Sequence, residues 1–196
     1  MADIKKNSLR YFVINKPYGV LSQFTDTERR QTLKSLFDFP NDVYPIGRLD
    51  MDSEGLLIIT NDKYFTNFLL NPKNQHEKEY YAQVDGIPDN NSLIKLREGV
   101  LIEGKKTLPA KVKLIDDPNF EPRNPPIRER KTIPTCWLSL TITEGRNRQV
   151  RKMTAAVGHP TLRLVRVRIK NITLGNMKSG EVRELTETEI IGLKKY

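Results

Sequence analysis

The chain has 196 residues, of which 37% are hydrophobic, so it can bury a core as one large or two small domains. No apolar run approaches the ~18 residues that a membrane span needs. The N-terminus lacks the apolar segment of a secretory signal. The single cysteine, Cys136, excludes an intramolecular disulfide, and two histidines leave little material for zinc. We therefore expect a cytoplasmic protein without a membrane segment or a bound metal.

The charge is strongly positive, with 33 Lys and Arg residues against 24 Asp and Glu residues and a net charge of +9. Such an excess attracts polyanions, because neutralised phosphates release condensed counterions. Nucleic acid is therefore the leading partner class. Charge alone leaves nucleic-acid binding and ordinary basicity equally open.

Strands and helices alternate along the chain, which predicts an α+β fold. After a polar tail at 1–9, the apolar patterns predict strands at 10–14, 56–60, 80–84, 111–115, 137–143 and 162–173. Helices are predicted at 32–37, 64–70, 92–98, 146–158 and 188–193. The proline-rich stretch 116–134 is too poor in backbone donors for a central strand and predicts a long loop.

An acidic loop, 47–54, precedes the buried strand at 56–60. A rigid scaffold can present a reactive carboxylate at such a place, which makes Arg48 and Asp50 catalytic candidates. The alternative is a solvated acidic turn. Asp50, Asp52 and Glu54 also match the start of a calcium-binding EF-hand loop, but the twelfth position is Asn61 and not glutamate, which argues against calcium.

Four segments in a fixed order connect the chain to a known family: NKPYGV at 15–20, GRLDMDSEGLL at 47–57, EKEYYAQV at 77–84 and EGRNRQVRKM at 144–153. Together they resemble the RsuA family of ribosomal RNA pseudouridine synthases, from about residue 11 to about residue 185. Members commonly begin with a small S4-type RNA-binding domain. This chain starts almost directly at the first catalytic strand, so it is similar to the short branch without that domain, with a catalytic domain at 10–196.

The resemblance implies a pseudouridine synthase fold, in which a mixed, mainly antiparallel sheet crosses two subdomains with a central cleft. It implies that the protein isomerises a uridine in ribosomal RNA. The similarity to the short branch implies that this RNA is the 23S RNA of the large subunit. The reaction requires no cofactor. We expect the enzyme to act as a monomer.

The resemblance also implies roles for particular residues. Asp50 would attack C1′ of the ribose or act as a base on it, and both roles stay open. Arg151 would pair with the Asp50 carboxylate, because a buried carboxylate needs a cation to stay ionised. Tyr80 would stack on the uracil, and Arg48 would help to hold the extruded nucleotide. As alternatives, Tyr80 is a half-buried core residue and Arg151 a phosphate contact.

Basic side chains outside the catalytic group are candidates for RNA binding. A flipped nucleotide costs roughly a few kcal/mol, which phosphate contacts can offset. The candidates are Lys16, Arg123, Arg128, Arg130, Lys131, Arg146 and Arg148. For each one, a structural turn or a solvated surface is the alternative.

Two other functions compete with this interpretation. An RNA-binding or ribosome-assembly protein with the same fold would be free to lose Asp50, which this chain retains. A glycoside hydrolase would use Asp50 with Asp52 or Glu54 and would release free uracil. The basic surplus suits phosphates better than neutral sugars, which favours the synthase.

Overall fold

A computed structural model describes residues 8–127 and 133–195. Within these ranges the chain forms eleven strands and four α-helices. The strands are β1 Tyr11–Lys16, β2 Tyr44–Pro45, β3 Glu54–Thr60, β4 Lys78–Asp85, β5 Leu101–Ile102, β6 Lys105–Lys106, β7 Lys111–Ile115, β8 Thr135–Ile142, β9 Thr161–Ile169, β10 Ile172–Thr173 and β11 Val182–Glu184. The helices are α1 Lys63–Leu70, α2 Asn90–Glu98, α3 Gln149–Ala156 and α4 Glu187–Lys194.

Nine strands form one sheet with the order β11-β1-β3-β9-β4-β8-β7, to which β2 and β10 are added beside β3 and β9. Strands β5 and β6 form a separate two-stranded ribbon. Every described pair in the large sheet is antiparallel except β3 with β9. The predicted α+β fold with a mixed, mainly antiparallel sheet is confirmed.

The apolar core lies on both faces of the sheet. Successive residues of a strand point to opposite faces, so in β3 Leu57 joins one core cluster and Leu56 joins the other. The first face is covered by the segment from Val20 to Val43 and by α2 and α3, and the second by α1 and α4. All seven residues of β3 are buried, which explains why its sequence reads as a continuous apolar run.

The central cleft begins where β3 and β9 meet. These strands pair at only two positions, Glu54 with Val165 and Gly55 with Arg166. Gly55 has a φ of 102°, and a Cβ placed on it would lie 2.3 Å from the carbonyl oxygen of Arg166. Only glycine therefore permits this close approach. Beyond this short contact, here called the β3–β9 junction, side chains of the two halves line a cavity between them.

Two predicted elements are wrong in kind. The helix predicted at 32–37 is a single 3₁₀ turn, Leu33–Ser35, because a six-residue segment with no side-chain cap is too short for a stable α-helix. The long strand predicted at 162–173 is a hairpin of β9 and β10, reversed at Lys170, whose φ is 50°. The other predicted strands and helices are confirmed, whereas the short strands β2, β5, β6 and β11 were not predicted.

Candidate active site

A cavity of about 440 Å³ lies between the two halves of the sheet. The loop before β3 contributes Arg48 and Asp50, and the facing strands β4 and β9 contribute Lys78, Tyr80 and Arg166. Three of the sequence segments singled out above therefore meet at one place, since residues 144–150 also line the cavity. Its lining includes the carboxylates of Asp50 and Glu144, the Tyr80 ring and several cations.

Hydrogen bonds hold the loop that carries Asp50 in a defined position. The Ser53 amide donates to the Asp50 carbonyl at 3.0 Å, which closes a tight turn. The Gly19 amide donates to the Met51 carbonyl at 2.8 Å. Ser22 accepts from the Leu49 amide at 3.0 Å and donates to the Leu49 carbonyl at 2.8 Å. The segment that follows β1 thus fixes the turn, and the Asp50 side chain keeps 34% of its surface exposed toward the cavity.

The turn Asp50–Ser53 faces helix α3, and two arginines of α3 and its N-cap bind it. Arg148 makes a two-pronged contact with the Asp52 carboxylate at 2.7 and 2.8 Å, and its Nη1 lies 3.4 Å from Asp50 Oδ2. Arg151 donates to the carbonyls of Asp52 at 2.6 Å and Thr161 at 3.1 Å. Its Nε lies 3.5 Å from Asp52 Oδ2.

The predicted ion pair between Arg151 and Asp50 is not formed within 4 Å in the described structure: Arg151 ion-pairs with Asp52, and Arg148 lies 3.4 Å from Asp50. The physical reason is the turn, which directs the Asp52 carboxylate toward the axis of α3 and the Asp50 carboxylate toward the cavity. Hydrogen bonds from Arg148 lower the pKa of Asp52, so the pair stays charged. Burial lowers the pKa of Arg151.

Arg148 adopts an unusual backbone conformation at the start of α3. Its φ of 52° and ψ of 32° are left-handed, which for a residue other than glycine costs roughly 1 kcal/mol or more. The bidentate contact of its guanidinium with the Asp52 carboxylate offsets that cost with two charge-assisted hydrogen bonds. A strained backbone held by side-chain contacts beside a reactive carboxylate is typical of a functional site.

The two adjacent tyrosines of β4 face opposite sides of the sheet. Tyr80 is only 9% exposed and lines the cavity, whereas the Tyr81 ring lies 6.2 Å from the ring of Phe120 on the other side. The choice of Tyr80 over Tyr81 agrees with this geometry. The aromatic ring lies on the wall of the same cavity as the Asp50 carboxylate.

The prediction that Lys16 binds RNA is wrong. Its side chain is completely buried, and its amine donates to the carbonyls of Pro17 and Val20, each at 2.7 Å. Burial lowers the pKa of Lys16 to about 8, against a partial opposing effect from Glu54. Lys16 thus stabilises the bend after β1 that supports the Asp50 turn.

The remaining basic candidates occupy different environments. Arg48 is exposed at the cavity rim and has no hydrogen-bond or ion-pair partner in the described ranges. Arg123 lies over the Tyr18 ring, 4.1 Å from its centroid. Arg146 donates to the carbonyls of Ile102 and Lys105, so it holds the β5–β6 ribbon. Arg128, Arg130 and Lys131 lie outside the described residues.

Three contributors to the site were not predicted from the sequence: Ser22, Lys78 and Arg166. Ser22 anchors the loop that carries Asp50 from a position 27 residues away, which only the fold reveals. Arg166 was visible as one of several cations alternating along a strand. Its position opposite Tyr80 depends on the register of β4 with β9.

The described residues show neither a clustered metal site nor a membrane-spanning helix. Among the described residues, no group of three or more His, Cys, Asp or Glu side chains is arranged to hold a metal ion. In the same ranges, no helix has the length and apolar character to cross a membrane. Of the acids in the EF-hand-like segment, Glu54 contacts Arg163 and Asp52 contacts Arg148.

Comparison with known proteins gives consistent matches. The family profile described as RNA pseudouridylate synthase matches residues 10–156. The chain is 52% identical over 176 residues to ribosomal large subunit pseudouridine synthase E of Vibrio parahaemolyticus, covering 90% of this chain and 74% of the relative. It is 41% identical to ribosomal large subunit pseudouridine synthase B of Bacillus subtilis, covering 94% and 71%. A crystal structure of a pseudouridylate synthase superposes with a TM-score of 0.79 at 31% identity, covering 95% of this chain and 74% of the other.

Proposed function

Because the chain belongs to the RNA pseudouridylate synthase family and is a pseudouridine synthase, we propose that it modifies a uridine of large-subunit ribosomal RNA and that Asp50 performs the chemistry. The choice of RNA rests on the names of relatives such as those of Vibrio parahaemolyticus and Bacillus subtilis. The observation that carries the role of Asp50 is its placement, on a fixed turn at the cavity between the two halves of the sheet.

The reaction breaks the N1–C1′ bond of uridine, turns the base and joins C5 to C1′. A carboxylate can form a temporary bond to C1′ or remove a proton from the ribose, and either role is reversible as the new bond forms. No oxidation or net hydrolysis occurs, so the reaction needs only groups that transfer protons or bond temporarily to C1′. Of the two carboxylates in the described lining, Glu144 already accepts hydrogen bonds from Leu108 and Gln149, and we assign the task to Asp50.

The neighbouring side chains receive supporting roles. Arg148 places a positive charge 3.4 Å from the Asp50 carboxylate, and Arg151 holds the turn from the other side through the Asp52 and Thr161 carbonyls. Tyr80 supports the base by stacking, since aromatic stacking of a base is worth about 1–3 kcal/mol. Arg48 at the rim holds the displaced nucleotide.

RNA binding would involve basic side chains on two parts of the surface. Arg48 and Arg148 line the cavity, and Arg123 lies outside it over the Tyr18 ring. The other proposed contacts, Arg128, Arg130 and Lys131, rest on the sequence alone. A base within a duplex is unreachable, so the enzyme acts on a loop or extrudes the nucleotide, and phosphate contacts offset that cost.

The Asp50 carboxylate, the Tyr80 ring and Arg148 come from one chain, which supports a monomer as the active form. The relatives named above are bacterial enzymes of ribosomal RNA, which supports the cytoplasm as the place of action. The proposed reaction requires only RNA as a partner and no cofactor.

Tritium release tests the proposal. Large-subunit RNA labelled with tritium at uridine C5 must lose label when the new bond forms at C5. We expect release by the wild-type protein and none by Asp50→Asn. Asp38→Asn is the matched control, because Asp38 is exposed and does not line the cavity, and it should behave as the wild type.

Other outcomes identify the competing functions. Binding of large-subunit RNA without label release, on naked and subunit-bound RNA alike, would indicate a catalytically inactive RNA-binding protein. Release of free uracil would indicate a glycoside hydrolase. Full activity of Asp50→Asn would remove Asp50 from the mechanism.

A further inference from the structure

Arg166 is a buried guanidinium with unused hydrogen-bonding capacity on the cavity wall. Its side chain is only 5% exposed, and its Nε donates to the Leu56 carbonyl at 2.7 Å. Its Nη2 is buried and has no hydrogen-bond partner within the described ranges. The guanidinium carbon lies 6.0 Å from the centroid of the Tyr80 ring, so it is next to the proposed stacking platform.

Lys78 adds a second cation to the same surface. It lies two residues before Tyr80 on β4 and therefore points to the same face of the sheet. Its amine donates to the His76 carbonyl at 3.2 Å. Burial lowers the pKa of Lys78, and the charge of Arg166 lowers it further. We call Lys78 and Arg166 the cationic floor of the cavity.

The two residues of the cationic floor lack the acidic partners that the other arginines of β9 have. Arg163 is paired with Glu54, and Arg168 is paired with Glu77 and Glu79. In the described part of the chain, no carboxylate lies within 4 Å of the charged nitrogens of Arg166 or Lys78. Arg166 is buried and Lys78 is half-buried. Cations that are taken out of water without a counter-charge are costly, so a ligand that brings negative charge would relieve this cost.

The proposed reaction generates such a charge. When the N1–C1′ bond breaks, its electron pair stays with N1 of the base, and the resulting negative charge is shared with the carbonyl oxygens O2 and O4. C1′ is meanwhile bonded to Asp50 or becomes part of a double bond after loss of a ribose proton. On rejoining, C5 supplies the bonding pair to C1′ while the Asp50–C1′ bond breaks, or while the ribose regains the proton that it lost. The C5 hydrogen then leaves as a proton, and N1 takes up a proton.

We propose that Arg166 and Lys78 contact a carbonyl oxygen of the target uracil and stabilise the negative charge that the base carries while it is detached from the ribose. This role rests on the proposed function. It is analogous to a preorganised oxyanion site, in which fixed donors act where charge develops and lose no energy in reorienting. The floor is thus a catalytic group acting on the base, whereas Asp50 acts on the sugar.

A substrate with a better leaving group tests this role. Large-subunit RNA is transcribed with UTP or with 5-fluoro-UTP, and the C-linked product nucleoside is measured under single-turnover conditions. On the fluorinated RNA, C5 keeps its fluorine when it joins C1′, and water adds across the remaining C6=N1 bond in place of the proton loss, so the product measured there is the hydrated C-linked nucleoside. Fluorine withdraws electrons and stabilises the detached base by itself. Arg166→Gln and Lys78→Met should therefore lose about 100-fold in rate on uridine RNA and about tenfold or less on the fluorinated RNA, with unchanged RNA affinity.

Controls separate charge stabilisation from packing. Arg166→Lys should recover part of the rate, because it restores the cation. Arg168→Gln removes a paired arginine of the same strand from the opposite face and should leave the ratio of the two rates at its wild-type value. Lys78→Met gives an independent measurement if Arg166→Gln fails to fold, since Lys78 makes a single hydrogen bond in the described structure.

The outcomes distinguish the two proposals. A loss of equal size on both RNAs in Arg166→Gln and Lys78→Met means that the floor only supports the fold, and it overturns the inference. Conversion of neither RNA by the wild-type protein overturns the proposed function and the inference with it. Wild-type conversion with a selective loss on uridine RNA supports both.

Discussion

Lys16 shows, at the scale of single residues, that chemical type does not determine the role of a side chain. The sequence places it among basic candidates for RNA, yet its amine is directed to the carbonyls of Pro17 and Val20 inside the protein. Asp50 behaves in the opposite way, since the GRLD segment identified it and the structure places it at the cavity. Residues with local signals were predictable, whereas burial depends on chain segments that are distant in sequence.

Arg151 shows the same limit in a pairwise contact. Its importance was predicted, but its partner was not, because the Asp50–Ser53 turn decides which carboxylate faces α3. The unpaired state of Arg166 was also out of reach, since it depends on the register of β9 against both β3 and β4. Pairings across about a hundred residues require the fold.

Replacing Arg151 tests its positioning role. Arg151→Ala should lower kcat at least about 100-fold with little change in RNA affinity, because it loses the contacts that hold the turn carrying Asp50. The turnover of Arg151→Lys should also stay low, since one amine cannot replace a guanidinium that donates to two separate carbonyls. Single-turnover rates and filter binding measure the two quantities. Near-normal turnover by Arg151→Ala would contradict the role.

At the scale of elements, the apolar patterns predicted strands and helices where burial is regular. Strand β3 and helices α1 and α2 are in the predicted places. The failures fall on short elements: the 3₁₀ turn Leu33–Ser35, the β10 hairpin and the two-residue strands. Such elements bury too few side chains to produce a hydrophobic repeat in the sequence. They form because neighbouring strands of the sheet stabilise them.

Helix α4 offers a test of element stability through its N-terminal cap. Thr186 and Glu189 form a reciprocal capping box, and Glu189 also holds Arg183 at 2.7 Å. These contacts lower the pKa of Glu189 to about 2 from 4.5. The charged form therefore stabilises the folded state above about pH 4.5, and this stabilisation is lost as the pH falls toward about 2.

Glu189→Gln should lower the free energy of unfolding by up to about 1 kcal/mol at pH 7 and by less at pH 3. Urea unfolding at the two pH values measures the difference. Glu187→Gln is the control, because Glu187 lies in the same helical turn but makes no ion pair in the described structure. An equal deficit of Glu189→Gln at both pH values would show that its charge does not stabilise α4.

At the scale of the whole molecule, the net charge of +9 predicts RNA binding that weakens with salt. Replacing each of two arginines that line the cavity distinguishes a charge that attracts RNA from one that stabilises the fold. Arg48→Ala should reduce the slope of log affinity against log salt by about one, because its charge is free to meet a phosphate. Arg146→Ala should leave the slope unchanged and lower stability, since its donors serve the Ile102 and Lys105 carbonyls.

Filter binding to large-subunit RNA between about 50 and 200 mM salt provides these slopes. Thermal melting of the same variants reports stability. If Arg146→Ala changed the slope and Arg48→Ala did not, Arg146 would be the RNA contact and Arg48 would not.

The pairing of β11 with β1 joins strands from near the two ends of the chain, with Phe12 opposite Glu184 and Ile14 opposite Val182. During synthesis, the outer edge of β1 therefore stays uncovered until β11 has left the ribosome. An uncovered edge strand is a template for pairing with other chains. The nascent protein thus carries an open sheet edge beside the Asp50 loop until β11 has been made.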